Sequence, residues 1–218
     1  MSHSQIKTRE SYRVPIGEAE SEQIVKNSRF IGMAGHACSV VEARSFIMCV
    51  RERHPDASHH AWAYKVEALS GTIGSSDDGE PGGTAGRPML AVLEGSGLCD
   101  VVVVGTRYFG GIKLGPGGLV RAYGVAARQA LGRLPQCEYV LYHLASIELE
   151  YGWFGGVQRL ADQTACRILE NEFGAYVRAV LAVPTSSIGR VGGALADLTN
   201  GRVVLQQHWI GEQYIASI

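Results

Sequence analysis

Paired cysteines, long apolar segments and an excess of one charge are all missing from this 218-residue chain. Its five cysteines are scattered and form no CxxC pair, which excludes the common zinc-knuckle and thioredoxin-type motifs. We expect reduced thiols that pack as small buried hydrophobes. No apolar run reaches the roughly 18 residues of a membrane-spanning helix, and the first ten residues lack the apolar core of a signal peptide. These absences predict a cytoplasmic protein with no membrane partner.

The charges of the chain are nearly balanced. A formal net charge of −1 excludes the strongly basic composition of a non-specific nucleic-acid binder. The distribution is uneven, since residues 1–136 hold fifteen Lys and Arg against thirteen Asp and Glu, whereas residues 137–218 hold five against eight. The range 81–133 contains six basic residues and only two acidic ones. The sequence therefore allows a local basic face in the first part of the chain.

Glycine, by contrast, is abundant and concentrated. Fifteen of the 28 glycines lie between Gly71 and Gly124. Because ordering glycine costs conformational entropy, such a cluster indicates tight turns or a backbone that closely approaches a ligand. The glycines alternate with basic residues, which are Arg87, Arg107, Lys113 and Arg121. This combination predicts a surface that binds an anion.

Hydrophobic periodicity predicts two domains, 1–136 and 137–218, joined near Pro135 where the glycine-rich character ends. In the first domain we expect strands at 28–38, 61–66 and 100–109, helices at 41–53, 84–93 and 118–134, and a loop at 71–83. In the second domain we expect a strand around Ile147, a helix, strands at 167–171 and 176–183, a helix at 188–198 and a last strand at 202–209. This βαββαβ order is the split βαβ or ferredoxin-like pattern.

The segment GGIKLGPGGLVRAYG is the best functional candidate. Gly115, Gly117 and Gly118 lead into a predicted helix N-terminus, where unpaired N–H groups and the helix dipole favour an anion. Lys113 precedes that terminus. Arg121 lies in the first predicted turn, where a positive charge opposes the dipole unless an anion is bound. The alternative is a tight strand-to-helix connection with both cations solvated; a Walker loop is excluded because its pattern is absent.

Three carboxylates, Asp77, Asp78 and Glu80, are concentrated in the turn DDGEPGGTAG. Hard cations such as Mg²⁺ bind carboxylate oxygens, often together with substrate phosphates. A magnesium ion that bridges these acids to a phosphate near Lys113 is chemically coherent. The sequence therefore offers the three acids as candidate metal ligands.

The same acids have simpler interpretations. They could form a solvated turn, or they could pair with Arg87, Arg107 or Arg121 and hold the glycine loops together, and the structural pairing is favoured. Arg107 ends a predicted buried strand, where it could bind phosphate or pair with an acid. Thr84 is a candidate cap for the helix that follows.

The segment HHAWAYK, from His59, combines imidazoles with aromatic rings. In a strand, His60, Trp62 and Tyr64 share one face and His59 lies on the other. Aromatic faces stack bases in single-strand nucleic-acid binders, so His60 and Trp62 are candidate ligand contacts. The more common alternative is a core Trp and Tyr with one hydrogen-bonded His.

Four segments together resemble one protein family: SRFIG from Ser28, HHAWAYK from His59, DDGEPGGTAG from Asp77 and RYFGGIKLGPGGLVRAYG from Arg107. Their order and spacing are similar to those of the mammalian impact protein and its YigZ-like bacterial relatives, over nearly the whole chain. The resemblance implies an α+β protein, with an N-terminal domain like the second domain of ribosomal protein S5 and a C-terminal ferredoxin-like domain. The same two domain types occur near the distal end of ribosomal translocase factors, which is an analogy of fold and not of function.

The first functional hypothesis is a non-enzymatic protein associated with RNA or the ribosome, acting in translation or its regulation. Arg107, Lys113 and Arg121 would contact the phosphate backbone with Arg87 beside them, and Trp62 or Tyr64 would stack bases. Eukaryotic relatives are linked to translational control because they oppose activation of an amino-acid-starvation kinase. They carry an additional N-terminal interaction domain with no counterpart in these 218 residues, so we do not expect that role to transfer directly.

Two other hypotheses stay open. An enzyme acting on a phosphorylated small molecule or nucleotide would use the three acids to hold Mg²⁺ and Lys113 to neutralise developing charge. The S5-type fold is shared with small-molecule kinases, but no nucleotide motif, GxSxG elbow or patterned nucleophilic cysteine is present. A protein-interaction adaptor would instead dock through residues 137–218.

Overall fold

The structure, a computed structural model, describes residues 10–66 and 71–217. The chain divides into two compact units. The amino-terminal unit is Tyr12–Glu138, and the carboxy-terminal unit is Tyr139–Ile218 together with the residues up to Ser11. The α+β fold class with two domains is confirmed, whereas the exact domain bounds at 1–136 and 137–218 stay a prediction. Apart from Glu10, the segment considered for a signal peptide lies outside the described residues.

An antiparallel sheet in the order β2-β3-β6-β4-β5 forms the amino-terminal unit. Its strands are β2 (Glu18–Val25), β3 (Ser28–His36), β4 (His59–Val66), β5 (Thr72–Ser76) and β6 (Val101–Tyr108). One face packs against α1 (Val40–Arg53), and the other packs against α2 (Gly86–Ser96) and α3 (Pro116–Arg133). The central strand β6 is therefore buried on both faces, which explains its unbroken run of valines.

Side chains of β6 alternate between two cores. Val101 and Val103 pack against α2 and α3, whereas Val102 and Val104 pack on the side of α1. Gly105 lies on the α3 side, where an added Cβ would come within 2.7 Å of the Tyr123 ring. Part of the glycine cluster therefore serves close helix–sheet packing rather than a ligand.

A second sheet has the order β1-β7-β9-β8, and β10 also pairs with β7. The strands are β1 (Ser11–Pro15), β7 (Gln136–Leu149), β8 (Arg167–Phe173), β9 (Val177–Pro184) and β10 (Trp209–Ser217). Two helices, α4 (Tyr151–Gln163) and α5 (Ile188–Leu198), contribute Val157 and Leu195 to the same core as Ile147. From β7 onward the order is the predicted βαββαβ. The names S5-like and ferredoxin-like stay expectations from the resemblance.

Some predicted elements were wrong, and two observed strands were not predicted. The sequence patterns did not reveal β1 and β2, and β5 lies where a loop was predicted. Its segment TIGSS has weak strand propensity, so pairing with β4 decides its conformation, and Gly74 makes room for the Tyr64 ring. The last predicted strand is also wrong, because residues 205–208 form a 3₁₀ helix that buries Leu205, and β10 starts only at Trp209.

The five cysteines differ in burial, and Cys137 is half-buried. Cys99 and Cys166 are buried, and burial raises the pKa of the Cys166 thiol to about 11. Cys38 and Cys49 are exposed, so the expectation of burial was wrong for these two. Across the described ranges, no helix is both long and apolar enough to cross a membrane.

Candidate functional site

The N-termini of α2 and α3 lie at the same end of the sheet. Because α2 leads into the start of β6 and α3 leaves from its end, both helices run antiparallel to β6 on the same face. The same end carries the loops at 77–85 and 109–115 and the start of β4. We call this region the loop end. The segments that carry the family resemblance meet here.

Asp77 caps the N-terminus of α2. Its Oδ1 accepts hydrogen bonds from the N–H groups of Ala85 and Gly86, both at 2.9 Å, and its Oδ2 accepts one from Gly83 at 2.7 Å. Burial raises the pKa of Asp77, but these three N–H donors outweigh it and hold the pKa below its ordinary value. Thr84 does not cap this helix as predicted, since its hydroxyl donates to the Pro81 carbonyl.

Asp78 fastens the loop end to β4 and α1. Its Oδ2 accepts a hydrogen bond of 2.7 Å from the His60 N–H, and its Oδ1 pairs with the Arg51 guanidinium. The Asp78 carbonyl accepts a hydrogen bond of 2.8 Å from Nδ1 of His59. Asp78 has a φ of +46°, a left-handed conformation that these contacts hold in place. Its carboxylate therefore links the loop to β4 and α1 and has a structural role.

Glu80 and Arg107 form a buried ion pair beneath the loop end. The Glu80 side chain is 3% exposed and that of Arg107 is 6% exposed. Arg107 Nη1 donates to both Glu80 oxygens at 2.9 and 3.2 Å, and the Tyr123 hydroxyl donates to Oε1 at 2.7 Å. Burial foremost, and then this hydrogen bond, raise the pKa of Tyr123 well above its ordinary value. Arg107 Nη2 reaches the Ser28 hydroxyl at 3.3 Å, so the network joins four segments of the unit.

The pairing with Glu80 bears on the two interpretations of Arg107, which are a phosphate contact and an ion pair with an acid. Its guanidinium is directed inward to Glu80 and lies over two aromatic rings, 5.4 Å from the centre of Phe30 and 5.2 Å from that of Phe109. Nε of Arg107 is the one buried side-chain polar atom without a hydrogen-bond partner among the described residues. Arg107 is therefore a scaffold residue in this structure, and its predicted phosphate contact is unsupported.

All three candidate metal ligands have protein partners. Asp77 binds backbone amides, Asp78 binds Arg51 and β4, and Glu80 binds Arg107 and Tyr123. In the described parts of the chain, no group of three His, Cys, Asp or Glu side chains is arranged to hold a metal ion. These contacts support the structural pairing that the sequence favoured, with Arg51 as a partner that the sequence did not suggest. Magnesium binding by the acids stays a prediction.

The N-terminus of α3 differs from that of α2. Gly115 is its N-cap residue, at a φ of +74° that glycine tolerates, and Pro116 occupies the first turn. No side chain caps this helix, and its first turn contains no acidic residue. An added Cβ at Gly117 would meet nothing within 4 Å, whereas one at Gly118 would lie 3.0 Å from the Leu114 Cβ. The N-terminus is thus open, unlike the terminus that Asp77 covers.

Two residues define the basic surroundings of α3. Lys113 and Arg121 are exposed, and no ion pair found within the described residues involves either of them. The helix begins two residues earlier than predicted, so Arg121 lies in its second turn rather than its first. There it lines a groove of about 900 Å³ between α2 and α3, together with Arg128 and the apolar Val92 and Val120. The exposed Arg87 stands in the first turn of α2.

The aromatic part of the predicted site lies elsewhere. His60, Trp62 and Tyr64 share the sheet face that packs against α1, opposite α2 and α3. His60 is 8% exposed and contacts the Thr106 hydroxyl at 3.2 Å, and burial followed by the nearby Arg51 lowers its pKa. Trp62 stacks on Tyr64 with 5.5 Å between ring centres. His60 and Trp62 therefore do not extend the surface that Lys113 and the glycines form.

Sequence reasoning missed four residues at the loop end. Tyr123 was assigned to the apolar stripe of α3, although a buried tyrosine hydroxyl usually needs a partner and Glu80 was an available one. Ser28, Arg51 and Phe109 carried no distinct pattern of their own. Tyr123, Ser28 and Arg51 contribute through contacts between segments distant in sequence, which a single sequence does not reveal.

Known proteins match both parts of the chain. Residues 26–131 match the Impact N-terminal domain, and residues 147–202 match a domain of unknown function, DUF1949. The IMPACT family member YigZ of Escherichia coli (strain K12) is 40% identical over 204 residues, which are 90% of this chain and 97% of YigZ. A crystal structure of a hypothetical protein is 37% identical with a TM-score of 0.61, covering 97% of this chain and 99% of its own.

A structure of the two-domain translational regulator Yih1 is more distant. It is 26% identical and covers 61% of this chain and 51% of its own. Its TM-score of 0.36 is too low for the structural likeness to carry an argument. The relationship therefore rests on the YigZ sequence and on the structure with the TM-score of 0.61.

Proposed function

Because this chain belongs to the IMPACT family, we propose that it is an RNA- or ribosome-associated protein that acts in translation or its regulation. Family membership supports the role in translation, since eukaryotic members are linked to translational control. Its cytoplasmic site of action is part of the same proposal. The role is one of binding, since the acids that would serve catalysis are engaged in structural contacts.

One observation carries the proposal: the open N-terminus of α3 beside the exposed Lys113. At the neighbouring helix, a carboxylate already occupies the equivalent position, where Asp77 accepts three backbone N–H groups. A phosphate is also an oxyanion, and helix N-termini bind phosphates through the same amides and dipole. The N–H groups of Gly117 and Gly118 have no side-chain cap. They are therefore the donors that we assign to a backbone phosphate.

The surrounding cations extend this surface. Arg87, Arg121 and Arg128 are exposed on the α2–α3 layer. Lys and Arg side chains supply most contacts to nucleic-acid phosphates, and these contacts position the chain without reading sequence. Arg107 is excluded from this set because it is buried against Glu80.

The test is the fluorescence anisotropy of a labelled structured RNA titrated with the protein at low and near-physiological salt. We expect binding that weakens with salt, and Lys113→Ala to bind on the order of tenfold more weakly because it loses a charge-assisted contact. The matched control is Arg44→Ala, which removes one exposed positive charge from α1 on the opposite face of the sheet.

Comparison of Lys113→Ala with its control Arg44→Ala decides the outcome. Lys113→Ala and Arg121→Ala should fold like the parent, because both side chains are exposed and outside the ion pairs of the described structure. Equal losses in Lys113→Ala and Arg44→Ala would mean that binding follows total charge and not this face. Absence of binding even at low salt would contradict the proposal itself.

A further inference from the structure

Phe109 is an exposed aromatic residue directly after β6. It is 49% exposed, and Ile112 in the same loop is 46% exposed. A large apolar side chain left in water gives up the stabilisation that burial would provide. Neither residue takes part in the phosphate contacts proposed for Lys113 and the α3 amides. The proposed phosphate contacts therefore leave these two side chains of the loop end without an assigned role.

The backbone on both sides of Phe109 is firmly held. The Phe109 N–H donates to the Ser58 hydroxyl at 3.2 Å, and the Gly110 N–H donates to the Ser28 hydroxyl at 3.2 Å. Gly110 packs so closely that an added Cβ would lie 2.1 Å from the Asn27 carbonyl oxygen. This part of the loop is anchored to two other segments, so Phe109 is presented in a defined position.

The Phe109 ring also rests on a fixed partner. The guanidinium of Arg107 lies 5.2 Å from the ring centre and is itself fixed by Glu80 and Ser28. The ring covers one side of Arg107, and the buried Phe30 provides a second aromatic contact to the same guanidinium. The half-exposed ring therefore presents a flat and rigid π surface at the same end of the sheet as the α3 N-terminus.

We propose that Phe109 is a base-stacking platform and that the α3 site takes an unpaired nucleotide of single-stranded RNA. The base stacks on Phe109 while the phosphate meets Lys113 and the amides of Gly117 and Gly118. The inference rests on the proposed function and specifies its ligand. In an A-form duplex the bases stack on each other, so a protein ring reaches only bases that are unstacked in loops, bulges and ends. The platform replaces the stacking role that the sequence suggested for Trp62.

An anionic membrane is the competing partner for a loop that exposes a phenylalanine, an isoleucine and a lysine. Stable membrane attachment needs a larger apolar area or a second anchor, which one Phe and one Ile do not provide. The ring moreover lies against Arg107 instead of projecting freely. These observations favour a planar base over lipid.

The experiment uses the full chain and two RNAs of equal phosphate number, a single-stranded oligonucleotide containing 2-aminopurine and a blunt hairpin duplex. We expect the parent to bind the single strand more tightly and to quench 2-aminopurine fluorescence. Phe109→Leu keeps an apolar side chain but removes the π face. It should weaken single-strand binding between about fivefold and a hundredfold, abolish the quenching, and leave duplex binding and the salt dependence unchanged.

Three further variants complete the design. Phe109→Tyr restores a ring and should restore both affinity and quenching. Ile112→Ala removes an exposed apolar side chain that has no aromatic ring. It should match the parent in affinity and in quenching. Lys113→Ala should weaken binding of both RNAs and reduce the salt dependence. Thermal unfolding of each variant shows whether it folds. If Phe109→Leu is destabilised, the parent decides, because a parent that binds both RNAs equally tightly and leaves 2-aminopurine fluorescence unchanged overturns stacking.

Failure of this inference differs from failure of the proposed function. If Phe109→Leu binds the single strand like the parent while Lys113→Ala binds weakly, stacking is overturned and the phosphate site stands. If the parent binds neither RNA, both fall. If Phe109→Leu loses binding to phosphatidylserine vesicles but keeps RNA binding, the loop is a membrane contact and the stacking proposal is overturned.

Discussion

At the scale of single residues, the arginines of the glycine-rich segment have different roles. Arg107 and Arg121 look equivalent in sequence, each a basic residue near glycines. In the structure Arg107 is buried against Glu80, whereas Arg121 is exposed beside a groove. The difference is decided by contacts with distant residues, since Arg107 donates to Glu80, 27 positions away in sequence, and to Ser28, 79 positions away. Only the exposed arginine is available to a ligand.

The buried pair gives the first prediction. Arg107→Ala leaves the Glu80 carboxylate buried with only Tyr123 donating to it, and breaking a buried pair costs about 3–5 kcal/mol. In a protein of this size that lowers the Tm of the transition that includes the amino-terminal unit by roughly 10 °C. The measurement is thermal unfolding followed by circular dichroism.

Arg87→Ala is the matched control for this prediction. It removes an exposed arginine from the same face and should change the stability by less than about 0.5 kcal/mol. An unchanged Tm in Arg107→Ala would show that the pair is hydrated in solution and does not hold the loop end together.

At the scale of elements, α2 and α3 present two versions of the same terminus. Both begin at the loop end, but a carboxylate covers α2 and no side chain covers α3. The sequence predicted both helices within a few residues, because their apolar positions recur at helical spacing. It assigned the cap of α2 to Thr84, which lies two residues before the helix. The cap is Asp77, nine residues before the helix, and the loop that brings it back to the N-terminus is a tertiary feature that the sequence pattern did not predict.

Asp77 supplies a prediction on pH. Its folded pKa lies below its ordinary value, so the stabilisation it provides is present above the unfolded pKa of about 4. That stabilisation is lost as the pH falls through the lower folded value. Asp77→Asn replaces one of the two acceptor oxygens with an NH₂ group, so it should cost about 1–2 kcal/mol at neutral pH, and the gap to the parent should close on acidification. Urea unfolding across this range measures the gap.

The exposed Asp56 offers the control for the cap. Asp56→Asn changes the same functional group at a site away from the helix terminus, and it should leave the stability nearly unchanged at every pH. A cost for Asp77→Asn that stays constant from neutral to acidic pH would argue that shape, and not charge, makes the cap.

At the scale of the whole molecule, charge is distributed rather than abundant. The chain carries a net charge of −1, yet Lys113 and three arginines of α2 and α3, which are Arg87, Arg121 and Arg128, are exposed. A further exposed arginine of α3, Arg133, donates to the Glu20 carbonyl. A few local cations favour weak binding that orients the nucleic acid, and not strong non-specific binding along its whole length. This limits how strongly binding can depend on salt.

The number of cations sets that limit. Each neutralised phosphate of a single strand contributes about −0.7 to the slope of log K against log salt concentration. Four contacts therefore predict a slope no steeper than about −3, to be measured by titrations at several salt concentrations. A slope much steeper than that would require cations outside this face, and a slope near zero would mean that the contact is not ionic.

The sequence by itself determined the family, the α+β class with two domains and most of the helices and inner strands. These features are carried by local periodicity and by motifs that are contiguous in the chain, such as the run from Arg107 to Gly124. Only the tertiary structure decided β5, the partners of Asp77, Asp78 and Glu80, and the exposure of Phe109. The physical reason is that hydrogen bonds, ion pairs and burial depend on which distant segments meet, and a single sequence does not encode that meeting in any local pattern.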